Sequence, residues 1–350
     1  MLLKSSLSTP KLLHLLRSSP CTGHSTLATI DNTLRHCVSR ITNCGLTDDQ
    51  WIQASLPVKA GGLGLRRATQ LAPSAYLAAF SATIVLQSRI LNGSNITMSQ
   101  YENAALAAWS SMTPAAAPIN PAAYKQKTWD KMVVAVERDR LLLSPANRSR
   151  ILAVSADHSS DWLHALPISS CGLRLSDEAI RIAVGLRLGT TLCSPHQCPC
   201  GSQVASLGSH GLSCKKSGAL IQRHNAMNDI IYRAVVRAGV PSTKEPPGLL
   251  RADGKRPDGA TQIPWVSGKC MAWDVAVADT LAPSYEQFSL ISAGKVAEKA
   301  AEKNDEIRCH HTDPRLCPHC LSDPRSTKCI GAVVSVSAWQ DTDLRLWRPT

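Results

Sequence analysis

The sequence predicts an α+β protein with a helical N-terminal half, a small metal-bound knuckle and a C-terminal α/β core. Three observations predict it. Apolar residues recur at helical spacing through much of the first half, and cysteine and histidine crowd into residues 198–214. The third is the alternation Trp273-Asp274-Val275-Ala276-Val277, which reads as a short buried strand. A chain of 350 residues with 44% hydrophobic content can build two or three domains with cores of their own. The net charge of +12 points to a polyanion partner, nucleic acid first. Thirteen cysteines, unevenly spaced and clustered with histidine, argue against a secreted disulfide framework and for metal in a reducing compartment. No run approaches eighteen consecutive apolar residues, so no membrane span is expected.

Taken in order, the Ser- and Leu-rich start could pass for a transit peptide, but Pro10 interrupts it. It reads instead as an internal helical segment, with Leu12, Leu13, Leu15 and Leu16 opening an apolar stripe whose upstream partner is missing. Residues 26–41 continue helically through Leu27, Ile30, Leu34 and Val38. Thr47 is a helix N-cap with Gln50 at the capping-box position; the acidic pair Asp48-Asp49 lacks the preceding tyrosine of a polymerase metal site, so capping is its expected role. The segment Gly61-Gly62-Leu63-Gly64 has neither the strand-to-helix context nor the Lys-Ser/Thr ending of a phosphate loop and is expected to turn into a helix. Residues 71–91 predict a long, Ala-rich buried helix. Residues 96–125, with Pro114, Pro118 and Pro121, read as a linker, followed by helices over 129–143 and 177–188. The glycosylation triplets at Asn92, Asn95 and Asn147 are discounted, since nothing else in the sequence is secretory.

Cys198, Cys200, His210 and Cys214 make a compact C-x-C-x9-H-x3-C. Thiolates and an imidazole in close pairs suit tetrahedral Zn²⁺ in a closed structural site that contributes folding energy. Cys193 and His196 are near enough to substitute as the fourth ligand, and unligated thiols in a loop are the alternative. A helix then runs over 219–238, burying Leu220, Ile231 and Val235, leaving Arg223, Arg233 and Arg237 wet, and stopping at Gly239 and Pro241. Downstream, Arg256-Pro257-Asp258-Gly259 precedes the Asp274 strand. Two carboxylates held still against each other can grip Mg²⁺ for phosphodiester chemistry; the plain alternative is two unrelated aspartates.

Two stretches carry a resemblance. Residues 53–64, with Leu71-Ala72-Pro73-Ser74-Ala75-Tyr76, resemble the thumb-like helical segment after the reverse transcriptase of non-LTR retrotransposons, a match over roughly residues 10–95. That segment contacts template and primer; the polymerase palm with Tyr-x-Asp-Asp is absent, so polymerisation is not expected. The order knuckle, Arg223-His224-Asn225, Arg256-Pro257-Asp258, then Asp274-Val275 is similar to the restriction-like endonuclease module of site-specific elements, over about residues 193–303.

The resemblance implies a PD-(D/E)xK fold with Asp258 and Asp274 as Mg²⁺-binding catalytic carboxylates. It implies that Arg223 and His224 touch DNA phosphate; alone they are an exposed helix face. The usual lysine two residues past the second carboxylate is Ala276 here. The family tolerates a lysine moved to the following helix, where Lys303 fits best, then Lys299, with Lys295 also present; a solvated Lys/Glu helix is the alternative. The implied domains are 1–95 thumb-like, 96–190 linker and helices, 191–230 zinc knuckle and Arg-His-Asn helix, 231–303 nuclease core, and 304–350 a tail. The implied function is that of a truncated retrotransposon-derived protein whose relatives nick target DNA to prime reverse transcription. Structural Zn²⁺ and catalytic Mg²⁺ would be its cofactors, target DNA and element RNA its partners, and the nucleus its place, with no membrane and no small-molecule substrate. A zinc-dependent nucleic-acid-binding module without catalysis is the alternative.

In the tail, Cys309-His310-His311 and Cys317-Pro318-His319-Cys320 look like a second metal site. The competing reading is a shifted frame. Residues 308–325 have synonymous codings in which a one-base shift restores an apolar strand with two phenylalanines, in a chain that has only two. On that reading the sheet loses a strand and residues 304–350 do not fold.

Overall fold

The computed structural model describes residues 8–120, 122–249, 256–265, 270–300 and 331–337. The chain divides into two units, Met1–Ser194 and Pro195–Thr350, each with a core of its own.

The described part of the first unit is helical. Helix α1 (Thr9–Ser18) starts with Pro10 in its first turn, where a missing N–H costs nothing. Helix α2 (Ser25–Thr42) buries Leu27, Leu34 and Val38 and ends at Asn43, whose φ of 48° is a left-handed stop. Helix α3 (Asp48–Ser55) has the reciprocal Thr47/Gln50 capping box that the sequence predicts. The neighbouring carboxylates are used in ion pairs, Asp48 with Arg35 at 2.7 Å and Asp49 with Arg140 at 3.0 Å. The glycine turn is no phosphate loop because its amides are spent internally. Gly62 N–H donates to Pro57, Leu63 N–H to Ala54 and Gly64 N–H to Leu56. A Cβ at Gly62 would lie 2.0 Å from the Leu56 carbonyl oxygen, so only glycine fits there.

Helix α4 (Ala68–Ile90) takes its N-terminal cap from a distant side chain. The carboxylate of Asp31 on α2 accepts from Ala68 N–H at 2.6 Å and from Thr69 N–H at 3.1 Å. Its first half is buried as expected, but Val85, Leu86 and Ile90 are more than half exposed. Among the described residues this helix is long and apolar enough to cross a membrane, by length and composition only, with 44% of the apolar window buried. Counting unbroken apolar runs missed it because serine and threonine interrupt the run without making the window polar.

Residues 96–125 are not simply a linker. Helix α5 (Gln100–Met112) lies inside them, with a Ser99/Glu102 capping box and a fully buried Trp109. Alanine, read as linker composition, is the strongest helix former, and Trp109 anchors the segment edge-on to Trp129 with ring centroids 5.0 Å apart. Helix α6 (Gln126–Leu142) pairs with the start of α4 through Arg66–Asp130 and Arg67–Glu137. Helices α7 (Pro145–Val154) and α8 (Asp177–Leu188) close the unit.

They bring in two buried arginines. Arg187 donates to Val58 O and Gly62 O, each at 3.0 Å, and to Ser160 Oγ at 2.9 Å; Arg150 donates to Arg187 O at 2.7 Å. Among the described residues neither has a carboxylate partner, and burial pushes both guanidiniums down to about 10. Carbonyl dipoles replace the missing counter-charge and lock the α3–α4 turn against α8.

In the second unit, β1 (His196–Gln197) and β2 (Gln203–Val204) form a small antiparallel hairpin, followed by the short helix α9 (His210–Ser213). Helix α10 (Ala219–Arg237) then packs on a four-stranded sheet. The sheet contains β3 (Ser242–Lys244), β4 (Gly259–Thr261), β5 (Ala272–Ala278) and β6 (Gly331–Ser337), in the order β3-β4-β5-β6. The first three strands are antiparallel, and β6 is parallel to β5. Ile231 and Val235 of α10 meet Met271, Trp273 and Val275 in the core between them. A short helix α11 (Glu286–Ser289) and a helical segment over residues 295–300 follow β5. The strand expected to be lost, over residues 308–325, lies outside the described residues, whereas residues 331–337 within the tail do form a strand. Val333, Val334 and Val336 give that segment strong strand propensity, and it pairs with β5 along all seven residues of each strand. The second Cys/His set, Cys309 to Cys320, and Lys303 lie outside the described residues.

Candidate metal centre and carboxylate site

The knuckle hairpin and the turn before α10 bring Cys198, Cys200, His210 and Cys214 together. Their four ligand atoms all lie within 4.8 Å of one another. Cys198 Sγ is 3.6 Å from Cys214 Sγ, and Cys200 Sγ is 3.2 Å from His210 Nε2. Tetrahedral Zn²⁺ with bonds of about 2.3 Å to sulfur separates its sulfur ligands by roughly 3.8 Å, so the set fits a metal such as zinc. Cys193 and His196 are not in this four-residue set.

Hydrogen bonds make the thiols unequal. Cys200 is pulled down to about 6 by the Ser202 hydroxyl, helped by the Ser202 amide and the Cys198 thiol. Cys198, although the Cys200 amide favours its thiolate, is raised by the adjacent thiols and by desolvation. Gly201, at φ 92°, turns the chain between the paired ligands in a conformation that favours glycine.

A second cluster lies at the start of β4 and the middle of β5, against α10. The backbone N–H of Asp258 donates to Asp274 Oδ1 at 3.2 Å, which ties the Asp274 carboxylate to the backbone of the other sequence-predicted aspartate. Asp258 Oδ2 accepts from the Val275 N–H at 2.5 Å and lies 3.0 Å from His224 Nε2. His224 thus meets a carboxylate at one end of the sheet.

Arg223, one residue earlier on α10, turns elsewhere. It donates to the Leu212 carbonyl in the knuckle turn, and its charge favours the ionised form of buried Asp279, whose carboxyl burial nonetheless holds above its usual range. Consecutive residues of one helix therefore grip the knuckle and the carboxylate site. Lys299 lies over the Phe288 ring, 5.9 Å from its centroid, and Lys295 pairs with Glu298 at 2.7 Å.

Two positions were not singled out from the sequence. Asn228 donates to the Asp258 carbonyl at 3.0 Å and accepts from the Trp273 indole at 2.9 Å. Its signal was spacing: it follows His224 by one helical turn on the same face, in a helix interior where asparagine is otherwise unfavourable. Gly259 faces Trp273, and a Cβ there would lie 2.0 Å from the ring. No family model and no curated protein matches the chain.

Proposed function

We propose that the second unit is a metal-dependent DNA endonuclease module of the restriction-like class, with Cys198, Cys200, His210 and Cys214 holding a structural Zn²⁺. The observation that carries this reading is the element order α10-β3-β4-β5-helix-β6, with Asp258 and Asp274 brought together where β4 and β5 pair. Asp258 and Asp274 would hold Mg²⁺, which when bound stabilises charge on a phosphodiester and lowers the pKa of an attacking water. His224 and the Val275 amide fix the orientation of the Asp258 carboxylate, and Asp274 is anchored by the Asp258 amide. Lys299, and Lys303 beyond the described residues, are the candidate cations for the scissile phosphate.

With the thumb-like wording of residues 53–76, the reading extends to a non-LTR retrotransposon-derived protein. Target DNA and element RNA would be its partners, and it would act on chromosomal DNA in the nucleus. The basic charge of the chain supports nucleic acid as the partner class.

One observation favours a second reading. The Asp258 carboxylate is already satisfied by His224 and the Val275 amide, as a purely structural aspartate would be. On that reading the unit binds nucleic acid without cutting it.

Mg²⁺-dependent nicking of supercoiled plasmid by the full chain, beside Asp258→Asn and Asp274→Asn, separates the two. Nicking lost in both variants, with gel retardation of DNA kept, supports the nuclease. Retardation by all three proteins with no nicking by any leaves the binding module.

A further inference from the structure

Asn228 stands in the middle of α10 and is 6% exposed. Asparagine competes for backbone hydrogen bonds and is costly in a helix interior unless its side chain is used elsewhere. Here both ends are used. Nδ2 donates to the Asp258 carbonyl at 3.0 Å, and Oδ1 accepts from Trp273 Nε1 at 2.9 Å. The amide can sit only one way round, because the indole N–H has nothing but a donor to offer and the carbonyl nothing but an acceptor.

The two partners are the segments that carry the carboxylates. One is the backbone of Asp258 itself, and the other is the residue immediately before Asp274. Trp273 is fully buried, and its cross-strand partner is Gly259, the residue after Asp258. Because a Cβ at Gly259 would collide with the Trp273 ring, that ring lies directly against the β4 backbone. One buried amide thus spans both carboxylate-bearing strands from the helix side, independently of the direct Asp258–Asp274 bond.

We propose that Asn228 is a positioning residue. Through Asp258 O and Trp273 Nε1 it sets the spacing of the Asp258 and Asp274 carboxylates, and with it the affinity of the pair for a divalent cation. The proposal rests on the nuclease reading of this site, and it adds a residue that contacts neither substrate nor metal. Residues that orient metal ligands typically govern affinity by about tenfold to a hundredfold.

The test uses the full zinc-loaded chain with Asn228→Asp, Asn228→Ser and Trp273→Phe, and the double variant Asn228→Ser/Trp273→Phe. Asn228→Asp keeps the volume and the acceptor for the indole but removes the donor to Asp258 O. Three quantities are read: the Mg²⁺ concentration for half-maximal nicking, Mn²⁺ binding by calorimetry, and zinc content with far-ultraviolet circular dichroism as the check on folding. The expected result is that Asn228→Asp raises the Mg²⁺ midpoint and the Mn²⁺ dissociation constant by about tenfold or more, with zinc content and DNA retardation unchanged. The double variant should lose less than the sum of the two single losses.

Folded Asn228 variants with wild-type metal dependence would overturn the proposal and leave the nuclease reading intact. If only Asn228→Asp fails to fold, Asn228→Ser and the double-variant cycle decide by the same criteria; misfolding of every Asn228 variant would reduce the residue to a core contact and overturn the proposal. A wild-type chain that neither nicks nor binds Mn²⁺ would overturn the nuclease reading, and this proposal with it.

Discussion

At the residue scale, Gly259 and Trp273 show how little room the carboxylate site leaves. Alanine at Gly259 must displace a fully buried indole, so Gly259→Ala should destabilise the second unit by about 1–3 kcal/mol. The loss is measurable as a lower denaturation midpoint followed by tryptophan fluorescence. Tyr76 offers a test with a definite sign. Its hydroxyl donates to Glu102 at 2.7 Å, and burial followed by that bond raises it to about 12 from the usual 10. The folded tyrosine therefore keeps its proton where the unfolded one loses it. Its contribution is complete below pH 10 and is lost as pH rises towards 12. Chemical denaturation between pH 9 and pH 12 should show that loss, and Tyr76→Phe should flatten the slope. A residue-level reading of the sequence singled out Asp258, Asp274, His224 and the Cys198/Cys200/His210/Cys214 set because each carries chemistry in its side-chain type, and the fold brings each group together. It did not find Asn228, whose importance lies in what it touches at both ends.

At the element scale, the helix signals were the most legible. The Thr47/Gln50 box, the 177–188 helix and the 219–238 helix were plain in the sequence because capping and apolar spacing are local properties. Thr47→Ala should cost about 1 kcal/mol, read as a shift in the thermal unfolding of the full chain, with no effect on zinc content. What the sequence did not disclose were features set by distant neighbours. The cap on α4 comes from Asp31 on another helix, and α5 owes its place to a buried tryptophan inside a stretch whose composition resembles a linker. The knuckle is the opposite case: spacing marked out the cluster while leaving Cys193 and His196 as alternatives for the fourth position, and the fold gathers Cys198, Cys200, His210 and Cys214. On the proposal that the knuckle holds Zn²⁺, chelation should unfold the β1–β2 hairpin and α9 first. Arg223 passes that loss to α10 through the Leu212 carbonyl. Amide exchange at His224 and Asn228 should therefore quicken on chelation, while exchange in α2 and α4 should not change.

At the scale of the whole molecule, two separate cores predict two separable transitions. Calorimetry of the full chain should resolve them, with the chelator lowering only the one that belongs to residues 195–350. The order of the strands has a consequence for the making of the protein. In the finished sheet β5 lies between β4 and β6, yet β6 leaves the ribosome long after β5 does. Until then the edge of β5 that β6 will cover is an open row of unpaired backbone N–H and C=O groups, presented by alternate residues of the strand. A polypeptide released before Gly331 would keep that edge open for good, ready to pair with another copy of itself. Products that stop in this interval should therefore accumulate as aggregates, whereas products that stop before β5 or run past Ser337 should stay dispersed.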